Sequence, residues 1–267
     1  MSGLILTLKP QAPEALDGAG LLPASLAGLS PAEAARRPLA PGIELGECFT
    51  VQADPAAPDH RLTLRTGARR LARLGCAMDG GTLRVVGDAG DLLGQDLRDG
   101  EIVVEGGCGA YAGAGQRAGL IRVRGDAGDF AGGAADGYEG MRGGALLVQG
   151  RAGARAGWRM RRGLIAVAGG CGDWCGAEML AGTLVAPRCG AHAGLGLRRG
   201  SLVLWECPPE LPATFNDAGV AEFVWLARLD RWLAALEFRL PPLTQRARRL
   251  VGDQGAGGKG EILIVGG

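Results

Sequence analysis

Between residues 81 and 204, apolar residues alternate with other residues in short bursts that return at a fixed interval. Counted from a lead glycine, position 2 is Leu83, Ile102, Ile121, Leu146, Ile165, Leu184 and Leu202, and position 4 is Val85, Val104, Val123, Val148, Val167, Ala186 and Leu204. Side chains on a strand alternate with a period of two, so positions 2 and 4 share a face, and each burst is a short strand with an apolar inner side. The lead glycines are Gly81, Gly100, Gly119, Gly144, Gly163, Gly182 and Gly200, spaced by 19, 19, 25, 19, 19 and 18 residues. A further column stands three residues before each of them: Met78, Leu97, Gln116, Met141, Met160, Met179 and Leu197. A lone unit cannot bury its inner face, whereas stacked units make a continuous core. The pattern predicts an all-β fold, a parallel β-helix of about seven coils of 19 residues. The crossover rule for parallel strands makes it right-handed.

The periodicity fades at both ends and divides the chain into three segments. Residues 1–60 read as an N-terminal extension and first strand, residues 61–205 as the β-helix, and residues 206–267 as a C-terminal capping or docking segment. In the first segment, Ser30-Pro31-Ala32-Glu33 is a helix start with proline at the first helical position. A strand is predicted over 42–51 and a loop over 53–59, which contains Pro55 and Pro58. Residues 61–80 form a degenerate first coil. After Trp205, Pro208, Pro209 and Pro212 stop the coil. A helix is predicted over 219–240 from the 3-4 spacing of Leu226, Leu229, Leu233, Leu236 and Leu240, and a strand over 261–265. The last coil of such a stack needs a cover, because its unpaired backbone and apolar end invite aggregation. The leucine stripe is expected to supply that cover. Trp225 and Trp232 lie off the stripe and are candidates for docking a partner, since tryptophan anchors dominate many interfaces.

Composition narrows the function. Glycine contributes 49 of 267 residues, yet they do not recur every third position, which excludes collagen. An apolar content of 47% excludes disorder. With 29 basic and 28 acidic residues the net charge is +1, which argues against a nucleic-acid partner. No apolar run is long enough to span a membrane. Seven cysteines behind a start without a basic leader segment point to free thiols and a cytoplasmic protein.

Cys171, Cys175, Cys189 and His192 offer four potential zinc ligands. In their columns, however, cysteine alternates with alanine, as a small buried residue would, and His192 follows Leu92, Tyr111, Phe130, Arg155 and Trp174. Metal binding is therefore not expected. The Gly-Asp-Ala-Gly-Asp runs at 87–91 and 125–129 read as turn capping rather than calcium sites, because their period is 19 and not nine. No nucleophile, base and acid fall together. One edge is basic: Arg98, Arg117, Arg142, Arg161, Arg162, Arg198 and Arg199 all stand at or beside the end of a unit. It is either a solvated edge with Asp96, Asp99 and Glu178 as counter-charges, or a docking face for an acidic subunit or polyanionic carrier.

The glycine repeat resembles the β-helix domain at the C-terminus of the glutamate synthase large subunit. It is more similar to the C-subunit of formylmethanofuran dehydrogenase, along the whole chain from Leu4-Ile-Leu-Thr-Leu-Lys9 onward. The enlarged unit Gly132-Gly-Ala-Ala-Asp-Gly-Tyr-Glu-Gly-Met-Arg-Gly-Gly144 resembles that family's longer third coil. The leucine-rich helix and Gly257-Gly-Lys-Gly-Glu-Ile-Leu-Ile264 look like the bacterial branch, the C-subunit of the formyltransferase/hydrolase complex of methylotrophs. The resemblance implies a non-catalytic member of a complex that moves a formyl group between tetrahydromethanopterin and a methanofuran-type carrier and releases formate. It implies three partners: a formyltransferase subunit, an amidohydrolase-like metal hydrolase subunit and a further large subunit. Metal and formyl carrier are expected on those partners, with no catalytic, cofactor or metal residue here. The alternative is a carbohydrate-active or metal-binding β-helix acting alone.

Overall fold

The structure is a computed structural model and describes residues 2–14, 16–134 and 139–265. The strands are β1 (Ser2–Leu8), β2 (Pro38–Ala40), β3 (Ile43–Glu44), β4 (Phe49–Pro58), β5 (Arg61–Leu71), β6 (Asp79–Ala89), β7 (Asp99–Val104), β8 (Leu120–Val123), β9 (Arg142–Val148), β10 (Arg162–Val167), β11 (Thr183–Ala186), β12 (Arg199–Leu204), β13 (Asn216–Glu222), β14 (Arg246–Gly252) and β15 (Lys259–Ile264). The helices are α1 (Pro23–Leu26), α2 (Pro31–Ala35), α3 (Leu45–Cys48) and α4 (Val224–Ala235). Thirteen strands form one mostly parallel sheet in the order β13-β14-β15-β12-β11-β10-β9-β8-β7-β6-β5-β1-β4, and strands from all three segments of the chain join it. The short β2 and β3 pair separately.

The register is the one the repeat requires. Leu4, Leu62, Leu83, Ile102, Ile121, Leu146, Ile165, Leu184, Leu202 and Ile262 are successive parallel partners and form one column through the stack. All ten are buried. Burying a Leu or Ile side chain is worth about 1.5–3 kcal/mol, so the column is a principal source of stability. The turns stack as well. Cys108, Ala127, Ala152 and Cys171 bridge in parallel, and Gly113, Gly132 and Gly157 each donate to a carbonyl of the preceding unit. In the enlarged unit, Met141 N donates to Gly132 O and Arg142 N to Gln116 O, so the ladder resumes after the insertion. Residues 135–138 of that unit lie outside the described residues.

Two constraints select the lead glycines. Their φ angles are positive, for example +92° at Gly100 and +102° at Gly200, a region where a Cβ is disfavoured. In addition, a Cβ on Gly119 would stand 2.6 Å from the carbonyl oxygen of Gly100 in the unit below.

The ends differ from expectation in four places. The stretch predicted as a strand over 42–51 contains the single helical turn α3, closed by a reciprocal capping box between Glu44 and Glu47. Most of the stretch predicted as a loop over 53–59 belongs to β4, which pairs antiparallel with β1 at the sheet edge; the register shifts between Asp54 and Pro58, across Pro55, as an edge strand tolerates. The helix predicted over 219–240 spans only Val224–Ala235: the residues before it are drawn into β13 by pairing with β14, and Glu237 ends it with a left-handed φ of +55°. Finally, that helix does not pair with the open edge of the last repeat unit. β15 does, in register with β12, after the chain has made its excursion. The helix start at Pro31 agrees with α2, whose capping box joins Ser30 and Glu33.

The last turn is closed by groups that imitate a further unit. His192 N, whose equivalents donate to the next unit's carbonyl, donates to Glu210 O. Gly196 N donates to Asp253 Oδ2 at 3.0 Å, and Asp253 N donates to Leu197 O. The buried Phe215 seals the core: a Cβ on Gly252 would lie 2.6 Å from its ring. Burial pushes the Asp253 carboxyl up, but hydrogen bonds from Gly196 N, the Thr214 side chain and Gly255 N outweigh it and hold the pKa below the ordinary carboxylate value.

Candidate functional site

Position 3 of each unit points away from the core, and its character changes along the stack. In the early units it is Arg84, Val103 and Arg122, with ion pairs from Arg84 to Glu105 and from Arg122 to Glu101. In the later units it is Leu147, Ala166, Val185 and Val203, continued by Leu263 of β15. These apolar side chains are buried under Leu226 and Leu233 of α4 and under Phe238 and Leu243 after it, a second core outside the stack. Leu229, Leu236 and Leu240 pack at its margin. Arg122 fixes the C-terminal end of α4 by donating to Leu236 O.

The helix does not close fully onto the sheet. An open apolar groove of about 660 Å³ remains between its N-terminal half and the strand starts of β8–β11. Gly119, Leu120, Gly144, Ala145, Gly163, Leu164 and Thr183 form the sheet side, and Trp225, Arg228, Leu229 and Trp232 form the helix side. Gly119, Gly144 and Gly163 contribute no side chains, which keeps that part of the floor open. Trp225 is half-buried, whereas Trp232 is 43% exposed. Both tryptophans singled out in the sequence therefore line one feature.

The arginine row also forms. Arg98, Arg117, Arg142, Arg161 and Arg198 each donate a backbone N–H to the preceding unit, which aligns them at the strand starts. All of them are exposed, as are Arg162 and Arg199. The expected counter-charges do not serve the row: Glu178 pairs with Arg159, Asp99 accepts from Gly100 N, and Asp96 accepts from Gln95 Nε2. Instead Glu139, from the enlarged unit, pairs with both Arg142 and Arg161. Among the described residues Arg98, Arg117, Arg162, Arg198 and Arg199 make no ion pair.

The turn carboxylates cap backbone groups. Asp91 Oδ1 accepts from Ala110 N, Asp129 Oδ1 from Ala154 N and Asp173 Oδ1 from Ala191 N, each at 2.8–2.9 Å. Aspartate in one unit thus reaches the alanine of the next, which explains their alternation. Asp88 likewise accepts from Gly107 N, and this bond, aided by Arg70, holds its pKa below the ordinary value.

The cysteine columns are apolar in character. Cys108, Cys171, Cys175 and Cys189 are buried free thiols. Burial pushes Cys108 and Cys189 up to about 12. The hydrogen bond to Cys171, together with burial, raises Cys175 well above the ordinary value. Among the described residues no group of three or more His, Cys, Asp or Glu is placed to hold a metal ion. His192 instead lies 4.7 Å from Trp174, ring centre to ring centre, on an outer corner where Tyr111 and Phe130 stack at 4.8 Å and Arg155 sits over Phe130 and Trp174. That corner column has left-handed φ values of 58–61° without glycine. Stacked rings worth about 0.5–1.5 kcal/mol per pair offset part of that strain. No described helix is long and apolar enough to cross a membrane.

No protein-family model matches the chain. Over 91 residues it is 38% identical to the C-subunit of the formyltransferase/hydrolase complex of Methylorubrum extorquens, an alignment that spans 33% of this chain and 33% of that relative. The crystal structure of the formyltransferase/hydrolase complex from Methylorubrum extorquens, in complex with methylofuran, contains a chain that superposes with a TM-score of 0.83. Sequence identity is 35%, over 97% of this chain and 98% of that one. Identity of this level, held along the whole fold and joined to a relative that bears the C-subunit name, places this chain in the C-subunit family of the formyltransferase/hydrolase complex.

Proposed function

We propose that this chain is a non-catalytic structural subunit of a formyltransferase/hydrolase complex. Its middle segment would be a right-handed parallel β-helix serving as a rigid scaffold, with the flanking segments closing its ends. The superposition over 97% of the chain with a chain of that complex carries the reading. The site chemistry supports it: turn carboxylates are engaged by backbone N–H groups, and the buried cysteines are held as thiols. In this reading the formyl transfer between tetrahydromethanopterin and a methanofuran-type carrier, and the hydrolysis to formate, take place on cytoplasmic partner subunits. Those partners are a formyltransferase subunit, an amidohydrolase-like metal hydrolase subunit and a further large subunit, and they hold the metal and the carrier. Trp225 and Trp232, and the row of Arg98, Arg117, Arg161, Arg162, Arg198 and Arg199, are the docking residues.

Co-expression of the tagged chain with the other subunits tests this. The chain is expected to elute with them as one larger species and, alone, to neither transfer nor hydrolyse the formyl group. Elution apart from the other subunits, or turnover by the isolated chain, would overturn the reading.

A further inference from the structure

We infer that the apolar groove and the arginine row beside it are one composite surface, and that its occupant is a segment of another subunit with apolar side chains on one face and carboxylates beside them. The inference rests on the docking role proposed above and adds the chemistry of what docks.

Three observations carry it. The first is continuity. The groove floor is built from Gly119, Gly144 and Gly163, and Arg117, Arg142, Arg161 and Arg162 stand one or two residues before them. At about 3.3 Å per strand residue the charges start within roughly 7 Å of the floor, and successive units lie about 4.8 Å apart. The second is charge. Arg142 and Arg162 are direct partners in the β9–β10 ladder, and like charges so close are unfavourable. Glu139 serves Arg142 and Arg161, while Arg117, Arg162 and Arg228, on the helix wall, have no ion partner among the described residues. One carboxylate shared by two of these arginines leaves Arg117, Arg162 and Arg228 unneutralised beside an open groove, and they call for carboxylates from outside. The third is the groove's apolar character. A free polyanion satisfies the arginines but gains nothing from Leu120, Leu164, Leu229 and the tryptophans. A wholly apolar segment leaves the charges unmet. A second copy docked through this same face would bring the exposed Arg228 and Arg231 of its own helix against the row and be repelled.

The test uses the assembled complex. Trp232→p-benzoylphenylalanine in the full chain, irradiated after co-expression with the other subunits, should cross-link to a peptide of another subunit that contains apolar residues with Asp or Glu beside them. In parallel, Arg117→Glu/Arg162→Glu should reduce recovery of the complex at least tenfold while leaving the thermal unfolding of the isolated chain unchanged, because both side chains are exposed. A cross-linked peptide without acidic residues, or assembly of the double variant at wild-type yield, overturns the acidic occupant and leaves the docking role intact. A cross-link to a second copy, or none in an assembled complex, overturns the groove as the docking site altogether.

Discussion

The inward and outward faces of the same strands obey different rules. Position 2 is Leu or Ile in every unit and is buried throughout, because each unit must present the same shape to the one above. Position 3, one residue later, is Arg84 and Arg122 in early strands and Leu147, Ala166, Val185 and Val203 in later ones, where α4 covers them. The inner face specifies the stack, whereas the outer face specifies what lies on it. The groove arises where that cover is incomplete.

The comparison can be broken most severely from inside. Ile121→Asp places an unpaired charge in the column and should cost several kcal/mol, about 4 or more, measured by denaturant unfolding. A cost below about 1 kcal/mol would mean that the column is not the core. On the outer face, Leu233→Ala should cost about 2–5 kcal/mol by opening a cavity under α4. Hydrogen exchange should then quicken in α4 and not in the β6–β8 ladder. Uniform quickening would show that the two cores are one.

The closing turn offers a smaller and pH-dependent effect. Asp253→Ala leaves Gly196 N without its acceptor and should cost about 1–3 kcal/mol at pH 7. Because the folded-state pKa of Asp253 is depressed, its contribution is full above the ordinary carboxylate pKa of about 4 and is lost as pH falls through the folded value. The stability gap between wild type and variant should therefore narrow in acid. A gap that widens there would contradict the assignment. The smallest effect concerns thiols and leaves stability untouched. In the folded chain Cys207, which is exposed, should react quickly with a disulfide reagent at pH 8, and Cys108, Cys175 and Cys189 should react only on unfolding. Rapid modification of the buried three would show that their columns are open.

These differences track what can be read from residues alone. The inner columns are legible because two periods, two and nineteen, coincide at Leu83, Ile102, Ile121 and their successors. The alternation of Asp91, Asp129 and Asp173 with alanine is visible too, and the structure adds the backbone groups that these carboxylates cap. The seat of α4 is not legible, although Leu147, Ala166, Val185 and Val203 form an apolar column of their own. A strand apolar on both faces announces burial but not by what. The ends are least legible. Pairing of β15 with β12 and of β13 with β14 is nonlocal, so Pro208 and Pro209 suggest a stop where the chain only detours. Trp225 and Trp232 stand out as residues off the leucine stripe, but the groove they line depends on how the helix sits on the sheet.

The central claim is that the outer groove serves assembly and not stability, and the Trp225→Ala/Trp232→Ala double variant tests it most directly. Trp232 is exposed and Trp225 packs only at the margin of the second core, so the chain should stay folded with a loss of at most about 3 kcal/mol, yet fail to co-purify with the other subunits of the complex. A folded variant that still assembles at wild-type yield, or one that unfolds or aggregates on its own, would contradict the account.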